Sequence, residues 1–84
     1  MGRVVHIDRF GNVITSAQAD QLAPRAEVRI AGRVVATRAR TYADAAGLTT
    51  LIGSSGYLEI AMRGGNAQNE LGVAVGDPVI VRPA

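Results

Sequence analysis

Cysteine, tryptophan and lysine are all absent from the 84 residues. Without cysteine there is no disulfide scaffold and no thiolate chemistry. A zinc site would have to be assembled from His6, the one histidine, and carboxylates, so no metal is expected. Without lysine, all nine basic residues are arginine, set singly at Arg3, Arg9, Arg25, Arg29, Arg33, Arg38, Arg40, Arg63 and Arg82 against seven acids, for a net charge of +2. An excess that small and that scattered argues against a dedicated polyanion footprint, and no nucleic-acid partner is expected. Aromatic residues are scarce too: Phe10, Tyr42 and Tyr57 are too few for the interleaved stacking platforms of a single-strand binder. No stretch approaches the ~18 apolar residues of a membrane span, and the charged, alternating start lacks a signal peptide's apolar segment. A cytoplasmic location with no membrane partner is the expectation.

Hydrophobic residues make up 48% of the chain, so Val, Ile, Leu and Ala must fill the core. At this length folding buries only about 60 to 65% of the surface exposed by the unfolded chain, which suits residues 1–84 forming one small domain. "RVVHID" (3–8) and "NVIT" (12–15) predict two strands around a turn at Arg9-Phe10-Gly11. "SAQADQLA" (16–23), with Ser16 as cap and Pro24 as stop, predicts a short helix or turn. Val28 and Ile30 before Ala31-Gly32, with Val34, Val35 and Thr37 after, predict a hairpin over 26–39. "LTTLIG" (48–53) and "YLEIAM" (57–62) predict two more strands, and Asn66 and Gly72 frame one or two helical turns before a last strand in "GDPVIVR" (76–82). The expected fold is all-β: a small, mostly antiparallel, Greek-key-like barrel of six or seven short strands.

No generic catalytic motif is present. "GSSG" (53–56) lacks the spacing of a nucleophile elbow, and "RGGN" (63–66) has neither a Walker lysine nor a dinucleotide frame. His6 and Asp8, two apart on a strand, share a face, yet with no nucleophile nearby a rim histidine outweighs a catalytic one. Asp8, at a strand end, has two uses: accepting bonds from turn amides or holding a ligand ammonium. Phe10-Gly11-Asn12 joins an aromatic face, a glycine and a carboxamide, the parts that stack on and edge-read a purine. Phe10 as a core plug, with Asn12 satisfying its own turn, is the equal alternative. Ser54 and Ser55 offer two hydroxyls suited to a carboxylate or a ribose, or simply a polar turn. The glycines after Arg63 leave backbone groups open beside the electropositive helix start at Asn66, or simply make a strand-to-helix turn.

"IDRFGNVIT" (7–15), "GSSGYLEIAMRGGNAQNELG" (53–72) and "GDPVIV" (76–81) resemble the C-terminal domain of the S-adenosylmethionine hydroxide adenosyltransferases, the adenosine-forming hydrolases related to the fluorinating and chlorinating enzymes. The resemblance covers nearly the whole chain and implies a small antiparallel β-barrel. That barrel supplies the adenine and methionine part of a site completed by the larger N-terminal domain of a neighbouring subunit in a trimer. It implies Phe10 beside the ligand, Asn12 on the adenine edge, the backbone at Arg63-Gly64 on the same base, and Asp8, Ser54 and Ser55 on the amino and carboxylate groups of methionine. S-adenosylmethionine, adenosine and methionine are thus the implied ligands, with no cofactor. Ser16 stands where the family commonly has Asn after the "IT" pair, and Arg63 where the hydrolases often carry Asn. Ser55 replaces the arginine of the fluorinating enzyme, which leans towards the hydrolase branch.

The N-terminal domain that orients water or halide lies outside these residues. No catalytic residue is expected here, because half a site supplies binding only. The competing expectation is a structural module: a barrel that exposes apolar surface and self-associates or docks a partner domain.

Overall fold

The computed structural model describes residues 2–18, 27–35 and 47–82. Within them, seven strands and one short helix follow one another as β1 (Gly2–Ile7), β2 (Val13–Gln18), β3 (Glu27–Ile30), β4 (Arg33–Val35), β5 (Thr49–Ile52), β6 (Tyr57–Ala61), α1 (Ala67–Leu71) and β7 (Pro78–Arg82). Each of their strand pairs is antiparallel. The sheet runs β4-β3-β7-β1-β2-β6-β5 and curls into a nearly closed barrel. Three hairpins are therefore sequential, while β7 inserts between β3 and β1 and joins the two halves. This is the expected all-β barrel, with seven strands described rather than six.

The alternation of apolar and polar residues sets which side each strand buries. Val4, Val13, Val28, Ile30, Leu58, Ile60 and Val79 point inward and are nearly inaccessible, joined by Ala17, Ala67, Leu71 and Val73. All buried hydrophobics among the described residues are Val, Ile, Leu or Ala, as the scarcity of aromatics requires. Each buried Val, Ile or Leu side chain contributes about 1.5–3 kcal/mol. Thr15 is buried too, and its hydroxyl donates to Leu58 O at 2.9 Å where the β2–β6 register shifts.

One irregularity aims the surface chemistry. Val4 pairs with Thr15, but His6 pairs with Ile14, so Val5 is an extra residue in β1. Without this bulge, strict alternation from the buried Val4 would send His6 and Asp8 into the core. With it, Ile7 turns inward against the core and His6 and Asp8 lie on the outer face.

The expected helix over 16–23 is corrected in its first part. Residues 16–18 continue β2, because Ala17 packs in the core and Ser16 Oγ accepts Arg3 N at 2.9 Å from the neighbouring strand. Ser16 is a ladder residue and not a helix cap. Residues 19–23, and the 36–39 end of the expected hairpin, lie outside the described residues.

Candidate functional site

The turn between β1 and β2 is organised by one carboxylate. Asp8 Oδ1 accepts Phe10 N at 2.9 Å and Asn12 N at 3.0 Å, while Asp8 Oδ2 accepts Asn12 Nδ2 at 3.0 Å. The backbone closes the same turn, with Gly11 N donating to Asp8 O and Asp8 N to Asn12 O. A carboxylate offers about four acceptor positions, so one on Oδ2 remains open. Asn12 keeps its carbonyl oxygen and one amide hydrogen for another partner. Its orientation is fixed, because the amide nitrogen faces Asp8. Phe10 is 62% exposed, which excludes the core-plug reading, and the Arg9 guanidinium lies 5.3 Å from its ring centroid.

Gly11 takes φ +82°, and a Cβ there would overlap the Asn66 side chain. Only glycine meets both demands. Its carbonyl accepts Gln68 N at 3.0 Å, which ties the turn to the start of α1. Asn66 caps that helix, its side chain accepting from Asn69 N at 2.9 Å, and Gly72 ends it in the left-handed conformation, as its sequence frame predicts. The expectation of an electropositive helix start is corrected. At the start of α1 the Gln68, Asn69 and Glu70 amides are already engaged by Gly11 O, Asn66 Oδ1 and Asn66 O, and the helix is only five residues long. Arg63 and Gly64 lie exposed in the adjoining turn, where Gly64 takes φ +74° and Gly65 N donates to Met62 O at 3.1 Å.

Ser54 and Ser55 sit exposed on the turn at the other end of β6. Gly56 N donates to Gly53 O and Gly53 N to Tyr57 O, both at 2.9 Å, and Gly56 at φ +87° completes a three-residue hairpin loop. The structure thus gathers Asp8, Phe10 and Asn12 with the 62–66 turn at one end of β6. It sets the serines at the far end, about 16 Å away along a five-residue strand. Between them lies Glu59, a residue that sequence reasoning does not single out as part of a site. It faces outward opposite Ile14, its carboxylate packs against Gly53, and burial, helped by the negative charge of Asp8, holds its pKa above the usual glutamate value. The available signal is a lone charged residue in the otherwise apolar strand "YLEIA". His6, exposed on this face, makes no bond to Asp8, so the imidazole–carboxylate pair does not form. No three His, Asp or Glu side chains among the described residues are grouped to hold a metal ion, and no described helix is long and apolar enough to cross a membrane.

Comparison with known proteins bears on what this face is for. The family profile "SAM hydroxide adenosyltransferase C-terminal domain" matches residues 2–80. A conserved hypothetical protein from Thermus thermophilus, known from a crystal structure, is 37% identical with a TM-score of 0.77, over 95% of this chain and 32% of that one. An uncharacterized conserved protein from Thermotoga maritima is 29% identical with a TM-score of 0.79, over 95% of this chain and 35% of that one. The chain therefore spans about a third of the length of each of these structures. No curated protein matches.

Proposed function

The chain belongs to the family of SAM hydroxide adenosyltransferase C-terminal domains, and from that membership we propose that it supplies the ligand-binding half of a site for S-adenosylmethionine or its products, adenosine and methionine. In the parent reaction the oxygen of water bonds to the ribose C5′ as the C5′–sulfur bond breaks, methionine departs with the sulfur electron pair, and a proton is released. This chain's share is to bind and orient. Asn12 meets the adenine edge with its free carbonyl oxygen and amide hydrogen, Phe10 packs beside the ligand, and the Arg63-Gly64 backbone contacts the same base. Ser54 and Ser55 hydroxyls take the methionine carboxylate at the far end of β6, and Asp8, in the Asn12 turn, holds that amide in place rather than the ammonium, which sits on the same carbon as the carboxylate.

The observation that carries this reading is the Asp8–Asn12 clamp, which leaves one oriented amide at that turn. The separation of the two turns by the length of β6 suits an extended ligand with a base at one end and an amino acid at the other. The groups that drive water onto C5′ belong, in this reading, to an N-terminal domain or neighbouring subunit of a trimer, and the chain alone is inert. Titration with adenosine and with S-adenosylmethionine, followed by amide chemical shifts, tests it. Saturable shifts at residues 8–12 and 53–66, weakened at least tenfold by Asn12→Ala, are expected. Equal binding by parent and variant overturns the assignment.

Exposed Phe10, Val5 and Val75 favour a second reading, a module that docks a partner domain or self-associates. Sedimentation as a clean monomer that still binds adenosine would count against that reading.

A further inference from the structure

Four of the arginines that are scattered through the sequence meet on the other half of the barrel. Arg29 of β3 pairs with Ile80 of β7, Glu27 pairs with Arg82, and Arg3 of β1 pairs with Pro78. Residues directly opposite in an antiparallel pair share a face, and so do residues two apart on one strand. Arg3, Arg29 and Arg82 therefore stand on one outer face with Pro78 and Ile80, and Arg33 reaches it from the hairpin end. A hollow of about 300 Å³ is lined by Arg29, Arg33, Arg82 and Ile80, and another of about 390 Å³ holds Arg3, with Pro78 forming a wall of both. Sharing Pro78 as a wall, the two hollows adjoin along this face, here termed the trough.

Two carboxylates stand beside these four guanidiniums. Arg29 pairs with Glu27 at 3.5 Å and Arg33 with Glu70 at 3.2 Å, all four side chains being nearly half exposed. Such exposed pairs exchange partners readily. Among the described residues, the Arg3 and Arg82 guanidiniums have no hydrogen-bond or ion-pair partner. Four guanidiniums against two carboxylates leave two positive charges, equal to the net charge of the whole chain. Guanidinium forks match phosphate oxygens, and the apolar floor of Pro78 and Ile80 strengthens any charge attraction above it. Arg29 and Arg82 stand diagonally on neighbouring strands, and Arg3 lies across β7 and further along the face, so the forks are separate donors suited to several linked anionic groups and not one. No aromatic side chain lies among the described residues forming the trough, so none of them stacks on a base.

We propose that this trough binds an oligophosphate, a chain of two or more linked phosphates, at a place separate from the Asp8–Asn12 turn. Arg82 and Arg3 provide the uncompensated charge, and Arg29 and Arg33 swing from their glutamates onto the ligand. The source is either a free inorganic oligophosphate or the phosphates of a nucleotide.

The test is titration of the chain with inorganic triphosphate, followed by amide shifts, beside orthophosphate and a nucleoside triphosphate. Saturable shifts at residues 27–33, 78–82 and Arg3 are expected, at least tenfold tighter for triphosphate than for orthophosphate. Arg29→Gln/Arg82→Gln, both on exposed positions, should weaken triphosphate binding at least tenfold with spectral dispersion unchanged, and Arg9→Gln, exposed on a different turn, should leave it as it was. A nucleotide that moves the same amides qualifies as a source. One that moves only residues 8–12 and 53–66 leaves the inorganic anion as the source. Absence of saturation with triphosphate, or a double variant that binds like the parent, overturns the proposal. The inorganic triphosphate arm decides the proposal whether or not adenosine binds at the Asp8 turn.

Discussion

Glu59 is surrounded by Gly53 on one side and the charge of Asp8 on the other, and this gives its titration a definite sign. Its folded-state pKa is raised, chiefly by burial and further by Asp8. The folded chain therefore holds more protons than the unfolded one from the usual glutamate value of about 4.3 upward. The slope of stability against pH follows the protons bound unfolded minus those bound folded, so it is negative there. Glu59 contributes stability at low pH that is lost as pH rises through its raised pKa. Glu59→Gln should remove that fall and leave the variant more stable than the parent near neutrality. Urea unfolding of both chains from about pH 4 to about pH 7 reads this directly, and parallel curves would sink it. Asp8→Asn should restore only part of the normal pKa, since burial is the larger cause.

Among the elements, the β3–β4 hairpin carries a local weakness. Ala31 takes φ +53° and Gly32 φ +74°, the two left-handed residues of a two-residue turn whose twist matches the strands. Alanine there costs about 1–2 kcal/mol that asparagine largely avoids. Ala31→Asn should raise the midpoint of thermal unfolding by on the order of 4–8 °C for each 1 kcal/mol recovered, read by circular dichroism. This hairpin is legible because period-two alternation meets a turn dipeptide, and α1 is legible because Asn66 and Gly72 carry cap chemistry. Residues 16–18 mislead for a physical reason. Ser16 and Ala17 are small and weak strand formers, so the local signal favours a cap, whereas burial of Ala17 and the bond from Arg3 decide the matter from across the sheet. At the candidate site, the roles of Asp8 and Asn12 within their turn are open to a reader of the sequence. The closeness of Glu59 to Asp8 is not, because it depends on the β2–β6 register and on a bulge at Val5 that no motif announces.

For the whole molecule, β7 is the piece on which the architecture turns. It pairs with β3 on one side and β1 on the other, so among the described strands the β3–β4 hairpin reaches the rest of the sheet only through it. Val79, fully buried at its centre, should therefore couple the two halves. Val79→Ala should cost about 2 kcal/mol, and hydrogen exchange should show residues 27–35 losing protection together with residues 2–18. Loss confined to one half would show that the barrel is not a single cooperative unit. The gathering of arginines belongs to this scale as well. Positions 3, 29 and 82 look unrelated along the chain, and the insertion of β7 between β3 and β1 brings them onto one face.

The clamp of Asp8 on Asn12 also carries a consequence for fidelity. A free carboxamide turns over easily and reads a 6-amino or a 6-oxo purine equally well. One pinned by its nitrogen presents its oxygen in a single direction. In the proposed site that oxygen welcomes the exocyclic amine of adenine and repels the carbonyl of hypoxanthine. In that proposed site Asp8 would act at a distance of one side chain as a check against deaminated nucleoside, holding adenosine and turning inosine away without itself touching the base.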